Sequence, residues 1–393
     1  MFNIIDIGGS FIKIFNSDTQ HIKRINLENT NIINLKHIKD LILLNIDSKC
    51  EKIYLSCQMH GFVLYNNNGE NITEFITWKT KSTQNYIKKI ISNEEFKNIT
   101  GLDCRNDLPI NNIYDYFISN NINNTTIYVK NISEAILDYN LPNTHITMAC
   151  GNGFLDINSN NYHDKFIKLF YDKFKIKLNF DNPINNIIIN GYFIKNNRQI
   201  PVYCGIGDFQ ASLIGINHNE LYINMATGSQ MAILSDKLEF TKNTNYRPFF
   251  KNKTLKCITH IPSGRFLNIF LNTFDDLFIF DLSVDDIINS NLIINTNIFD
   301  DNISITNINF NNFTKKNIIA SIFRCYLDQY IYIYNNYFID NNINKIILSG
   351  GIAKKIFFIK EYFEFKLKKN IYIKNNCDDD SINGLLYIIN NEL

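Results

Sequence analysis

Residues that stiffen or break a backbone are scarce in this chain. Six prolines and sixteen glycines in 393 residues leave few forced turns. Each glycine cluster therefore marks a place where the backbone must turn tightly or pass close to something. Tryptophan occurs once, at Trp78. Neither sign of charge dominates, with 39 Lys plus Arg against 38 Asp plus Glu. That balance excludes the basic footprint of a nucleic-acid binder and the polybasic patch of a lipid-surface binder. The eight cysteines form no CxxC pair and no His/Cys cluster at zinc spacing. Scattered through a long chain, they predict reduced thiols and a cytoplasmic protein. No apolar run approaches the length of a membrane span. The first residues enter an apolar strand rather than a basic segment and an apolar leader.

Asn, Ile, Lys, Phe and Tyr are abundant. Sequons such as Asn71-Ile72-Thr73 arise by chance in so Asn-rich a chain and carry no weight. The length predicts two domains. Phe2–Ile7 and Phe11–Phe15 read as a hairpin around Gly8-Gly9, with a third strand at His21–Leu27 and a helix over Ile32–Leu44. Ile53–Ser56 reads as a buried strand, and Phe62–Tyr65 with Glu74–Trp78 as a hairpin. A boundary is expected at Asn196-Asn197-Arg198-Gln199, giving domains 1–199 and 200–393. Beyond it the theme restarts: strand Ile200–Cys204, a glycine turn with Asp208, helix Phe209–Ile214, strand Leu221–Met225, turn Ala226–Ser229 and strand Gln230–Leu234. An apolar stripe from Ile318 to Tyr334 has helical spacing. Ile346–Leu348 is a buried strand leading to Ser349-Gly350-Gly351, and a helical segment runs on to Lys369. The alternation predicts an α/β protein of two related lobes with a cleft between them.

Three small-residue turns each follow a short apolar strand: Gly8-Gly9, Ala226-Thr227-Gly228-Ser229 and Gly350-Gly351. Such turns let backbone N–H groups approach phosphate. Asp6 precedes the first turn, and Asp208 sits on a glycine-flanked turn before the second. A carboxylate beside phosphate-binding turns is the pattern that phosphoryl transfer to a hydroxyl requires.

These residues resemble the FGGY carbohydrate kinases, of the actin/hexokinase/Hsp70 superfamily. The resemblance is carried by DIGGSFIK at 6–13, QMHG at 58–61, GIGDFQASLIG at 205–215, MATGSQ at 225–230, SGG at 349–351 and DDDSINGLLYI at 378–388. QMHG, GDFQAS and YRPFF at 246–250 are most similar to the sedoheptulokinase branch. The resemblance implies two ribonuclease-H-like lobes of the actin-like ATPase fold with the active site between them, and ATP and Mg²⁺ as cofactors. The implied reaction is transfer of the γ-phosphoryl group to sedoheptulose, or to another ketose or polyol such as xylulose. Asp208 would be the general base. Asp6 would help hold hydrated Mg²⁺, with Gly8, Gly9, Ser10 and Lys13 near the phosphates. Thr227 and Gly228 would lie against the β- and γ-phosphates, and Gly350 and Gly351 against adenosine. Gln58, Met59, His60 and Trp78 would line the sugar end.

The chain also departs from the family pattern. Trp78-Lys79-Thr80-Lys81-Ser82 stands where Trp-x-Asp-x-Arg is usual, so the acid and the arginine are absent. Gly9 replaces a threonine, Ala226 a glycine and Lys354 a serine, and His145 stands where relatives often carry Asp. These changes admit a different acceptor, or a binding protein without catalysis.

Overall fold

The computed structural model describes residues 1–28, 30–226, 228–261, 267, 282–296, 303–374 and 379–391. Two mixed sheets share one strand pattern. The first holds β1 (Phe2–Ile7), β2 (Phe11–Asn16), β3 (Ile22–Asn26), β4 (Lys52–Cys57), β5 (Tyr139–Asn140), β6 (Ile189–Lys195), β7 (Arg198–Tyr203) and β8 (Ile206–Gly207). Its order is β3-β2-β1-β4-β7-β6-β5, and β8 also pairs with β4. The first three strands form an antiparallel meander, and β4 adds parallel to β1. The second sheet holds β9 (Glu220–Asn224), β10 (Ser229–Ser235), β11 (Asn245–Pro248), β12 (Thr254–Ile261), β13 (Lys345–Ser349) and β14 (Asn370–Ile373), in the order β11-β12-β10-β9-β13-β14. Here too a meander is followed by parallel strands on its first member. The restart legible in the sequence is this repeated topology.

Burial explains the strands. In β1, Ile4, Ile5 and Ile7 are fully buried within the first core. Helix α1 (Leu35–Asn45) starts where the Asn34 side chain accepts from the His37 N–H, and it buries Leu35, Ile38 and Ile42. Helix α2 (Asp208–Ser212) follows β8. Helix α3 (Lys315–Ile333) is the apolar stripe, packed in the second core. Helix α4 (Asp380–Asn390) returns to the first sheet and crosses α2 closely. A Cβ on Gly384 would lie 1.8 Å from the Ala211 carbonyl oxygen, so glycine is required at that crossing. A third core, from Phe62 to Phe180, belongs to a smaller α/β piece inserted in the first half. Its helix Asn93–Thr100 ends at Gly101, whose carbonyl accepts from Tyr246 N–H of β11 at 2.7 Å, tying the insert to the second sheet.

Three expectations change. Asn196-Asn197 is not a linker but the two-residue turn of the β6–β7 hairpin, both residues having positive φ. The expected division at 199/200 therefore falls inside a strand of the first sheet. Phe62–Tyr65 and Glu74–Trp78 touch through one isolated bridge, Phe62 to Ile76. Val63–Tyr65 instead pairs with Thr126–Lys130, and Phe75–Ile76 with Ile32–Ile33. The helix expected to reach Lys369 is two helices, Gly350–Lys355 and Phe358–Leu367. The seven described cysteines are free thiols. Among the described residues, no helix is long and apolar enough to cross a membrane.

Candidate active site

Three neighbouring parallel strands deliver the charged groups. Asp6 is next to last in β1, Cys57 ends β4, and Gly207 ends β8 with Asp208 opening α2. Asp6 lies opposite Ser56 and Gly207 opposite Cys57. The carboxyl ends of the strands thus bring Asp6, Gln58 and Asp208 to one edge of the sheet.

Asp6 is buried, and accepts from the Ser56 hydroxyl at 2.7 Å and the Lys13 ammonium at 3.0 Å. Lys13 lies opposite Asp6 in the hairpin and also pairs with Asp379, the N-cap of α4. Burial works against the Lys13 charge, but Asp6 and Asp379 outweigh it and hold its pKa above the ordinary lysine value. Burial likewise opposes the Asp379 charge, and Lys13 outweighs it and holds that carboxyl below its usual range. Asp208 differs. Surrounded by protein yet partly open, it is pushed up to about 6, first by desolvation and then by the like charge of Asp6. The Phe209 N–H, 2.8 Å from its Oδ1, pulls the other way, as do Arg247 and Lys13. Asp208 is not the helix cap, since Gly207 takes that position.

The Gly207 turn is held from behind. Its N–H donates to Thr147 Oγ1 at 3.0 Å, and Thr147 Oγ1 is 2.8 Å from Nδ1 of His145. His145 is fully buried and lies tilted against the Phe250 ring, centroids 5.2 Å apart. Burial pushes its pKa down to about 4, so the ring is neutral and Nδ1 accepts the Thr147 hydroxyl proton.

The glycine turns lie at strand ends in both sheets. Gly8 N–H donates to the Phe11 carbonyl at 2.9 Å. A Cβ on Gly9 would lie 3.0 Å from Nε1 of Trp78, and the Lys79 ammonium donates to the Gly9 carbonyl at 2.8 Å. Trp78 and Lys79 therefore press on the first hairpin, with Ser10 exposed beside it. In the second sheet, Asn224 lies opposite Ser349, which sets the turn after β9 against Gly350-Gly351. Met225 N–H donates to the Ser349 carbonyl at 2.8 Å, and Ile352 N–H returns to Met225 at 3.1 Å. Gly350 has φ +87°, and a Cβ there would lie 2.4 Å from the Met225 carbonyl oxygen, so it is glycine for the fold. Gly228 and Gly351 have nothing within 4 Å of an added Cβ. Thr227 lies outside the described residues.

The Gln58–His60 segment does not act as one unit. Gln58 turns back to the first hairpin, its Nε2 donating to the Gly8 carbonyl at 3.1 Å, while its Oε1 is buried without a hydrogen bond. Met59 is buried against Gly207. His60 has φ +61°, a strained conformation for a non-glycine residue. Its Nδ1 is 2.7 Å from the Gly151 carbonyl and its Nε2 is 3.4 Å from Nη2 of Arg247. Both contacts are satisfied when Nδ1 carries the proton. Arg247, buried in β11, escaped the sequence reading, although it lies within YRPFF. A lone arginine in a short strand before Pro-Phe-Phe was its only signal. Asp379 and the pair His145–Thr147 also escaped, because their partners are distant in sequence. Of the departures from the family pattern, Thr80 and Ser82 bind backbone carbonyls, Thr80 that of Asn31 and Ser82 those of Gln84 and Asn106.

No protein-family model matches the chain, and no curated protein does. Solved structures do. A xylulose kinase from Lactobacillus acidophilus superposes with TM-score 0.76 at 17% identity, covering 98% of this chain and 88% of that one. A glycerol kinase from Plasmodium falciparum with ADP gives 0.74 at 16%, covering 99% and 90%. A gluconate kinase from Lactobacillus acidophilus gives 0.74 at 16%, covering 98% and 88%. The chain has the actin-like ATPase fold.

The carboxylates also suit a divalent cation. Each Asp6 oxygen accepts one hydrogen bond, which leaves lone pairs for water, and Asp208 stands nearby. Among the described residues no three His, Cys, Asp or Glu side chains converge on one point. The donor set fits a hydrated hard cation held through water and nucleotide phosphates, not an all-protein cage.

Proposed function

We propose that the chain is an ATP-dependent sugar kinase acting on a ketose, sedoheptulose to its 7-phosphate first and xylulose as the alternative. The observation that carries this reading is Asp208, a strand-end carboxylate with a pKa of about 6 beside Asp6, in a chain whose second sheet also carries uncrowded glycines at Gly228 and Gly351. A base of that pKa is ionised at neutral pH and still basic enough to orient and deprotonate an attacking hydroxyl.

In this reading the acceptor hydroxyl lies against Asp208 with its carbon chain along Met59 and His60. Gly8, Gly9 and Ser10 offer backbone and hydroxyl donors to the phosphates, and Lys13 pairs with Asp6. Thr227 and Gly228 receive the β- and γ-phosphates, and Gly350 and Gly351 the adenosine. Asp6 would hold the water shell of Mg²⁺, which supplies charge neutralisation to the nucleotide phosphates when bound. Trp78 and Lys79 brace the first hairpin. The half bearing the first hairpin contributes the sugar side, and the half bearing the second sheet contributes the nucleotide side. Closure of the cleft excludes water, which would otherwise accept the phosphoryl group.

The structural neighbour that phosphorylates xylulose supports that acceptor as much as sedoheptulose. A third reading, a sugar or nucleotide binder without catalysis, is favoured by Thr80 and Ser82, which replace an acid and an arginine and face backbone. A coupled ADP-release assay over a sugar panel separates the three. Sugar-dependent ADP release that Asp208→Asn abolishes supports the kinase. Better turnover of xylulose overturns the sedoheptulose assignment. No sugar-dependent release by wild type overturns catalysis.

A further inference from the structure

Arg247 is 4% exposed, yet among the described residues it has no carboxylate within ion-pair distance. Its contacts are soft or weak. Nη1 donates to the Met59 thioether at 3.3 Å, Nη2 faces His60 Nε2 at 3.4 Å, and the guanidinium lies 5.1 Å from the centre of the Phe209 ring. Its Nε has no hydrogen bond. A buried guanidinium has five N–H donors and needs strong oxygen acceptors to offset its lost hydration. Here a strand of the second sheet carries that charge to the wall made by Met59, His60 and Phe209, the residue next to Asp208. The missing oxygen therefore belongs to something that enters the cleft.

We propose that Arg247 is the specificity-determining residue of the acceptor subsite and binds the carbonyl-bearing end of the sugar. The proposal rests on the sugar-kinase reading and adds the feature that the site selects. An sp² oxygen, of a ketone or a carboxylate, only accepts, and so matches a donor-only guanidinium. An alditol places a hydroxyl at the same position. Its hydrogen would need an acceptor, and the wall offers a thioether, an aromatic face and an imidazole nitrogen already turned to Arg247. That unpaired donor disfavours the alditol.

The test is calorimetric binding of sedoheptulose, its alditol and an aldonate of matched length to wild type, Arg247→Met and Arg247→Lys. Wild type is expected to bind a carbonyl-bearing ligand at least about tenfold tighter than the alditol, the range of a hydrogen bond to a charged donor. Arg247→Met is expected to bring that ratio near one, and Arg247→Lys to restore part of it. A ratio unchanged in Arg247→Met overturns the proposal, as does a wild type that binds alditol equally well. Thermal unfolding supplies the independent arm. Removing a buried charge that lacks a counter-ion is expected to leave the free protein's Tm unchanged or raised. A fall of more than about 5 °C would make Arg247 a structural residue and overturn the assignment. If the aldonate binds best and Arg247→Met removes that preference, the inference holds and the ketose reading fails. If wild type binds none of the three, the sugar-kinase reading fails and takes this inference with it.

Discussion

At the carboxyl ends of β1, β4 and β8 the first sheet places Asp6, Gln58 and Asp208, whereas the matching β9 and β13 of the second sheet run into Met225 and Ser349 followed by small residues. The strand order repeats, but the chemistry at the strand ends does not. One edge concentrates charge: Lys13 bridges Asp6 and Asp379, while Asp208 is pushed up to about 6. The other edge offers backbone and open space, with Gly350 demanded by the fold and Gly228 and Gly351 demanded by nothing the chain itself places nearby. A duplicated scaffold thus supplies one edge that tunes protons and one that, on the proposed function, would receive phosphate.

If that division is right, substitutions on the two edges fail in different ways. The largest effect is expected at Asp208→Asn, with kcat for the best sugar falling by about 10²–10⁴ while nucleotide binding persists. Steady-state kinetics with a nucleotide-binding titration measures both. Lys13→Met leaves Asp6 and Asp379 buried without their cation, and is expected to destabilise the protein by about 3–5 kcal/mol near pH 7. Because Lys13 depresses the Asp379 pKa, that stabilisation exists above the unfolded carboxylate value and is lost as pH falls through the folded one. Denaturant midpoints should therefore converge below about pH 4. On the other edge, Gly350→Ala meets both a positive φ and the Met225 carbonyl, at an expected cost of about 2–4 kcal/mol.

Much of this arrangement was legible before any coordinates. Apolar runs broken by scarce glycines located β1, β2, β4, β9 and β13, and the motif order announced the fold. Residues whose meaning depends on distant partners were not legible. Asn196-Asn197 looks like a linker until β6 and β7 are seen to pair around it. Lys13 meets Asp379 only because α4 returns to the first sheet. Gln58 reads as a sugar ligand from its neighbours, but its side chain turns to the Gly8 carbonyl. Arg247 reads as one cation in a short strand until the second sheet meets Met59 and His60.

Two smaller effects sharpen the comparison. Asp208 has a folded pKa above its unfolded value, so its ionisation destabilises the fold as pH rises through about 6. Asp208→Asn is thus expected to be more stable than wild type by about 1–3 kcal/mol at pH 7.5, and equal to it below about pH 4. Gly228→Ala enters open space, so its stability is expected to change by less than about 0.5 kcal/mol. Its KM for ATP should rise if phosphate lies there. A variant that loses stability without a change in KM would move Gly228 from the ligand's side to the fold's.

The most direct test of the central claim is the pH dependence of kcat/KM for the best sugar in the wild-type protein, which reports the base of the free enzyme. A rise with an apparent pKa of about 6, absent from the residual activity of Asp208→Asn, is the expected result. A profile that is flat from pH 5 to 8, or that breaks near 4 as an ordinary carboxylate does, would contradict it.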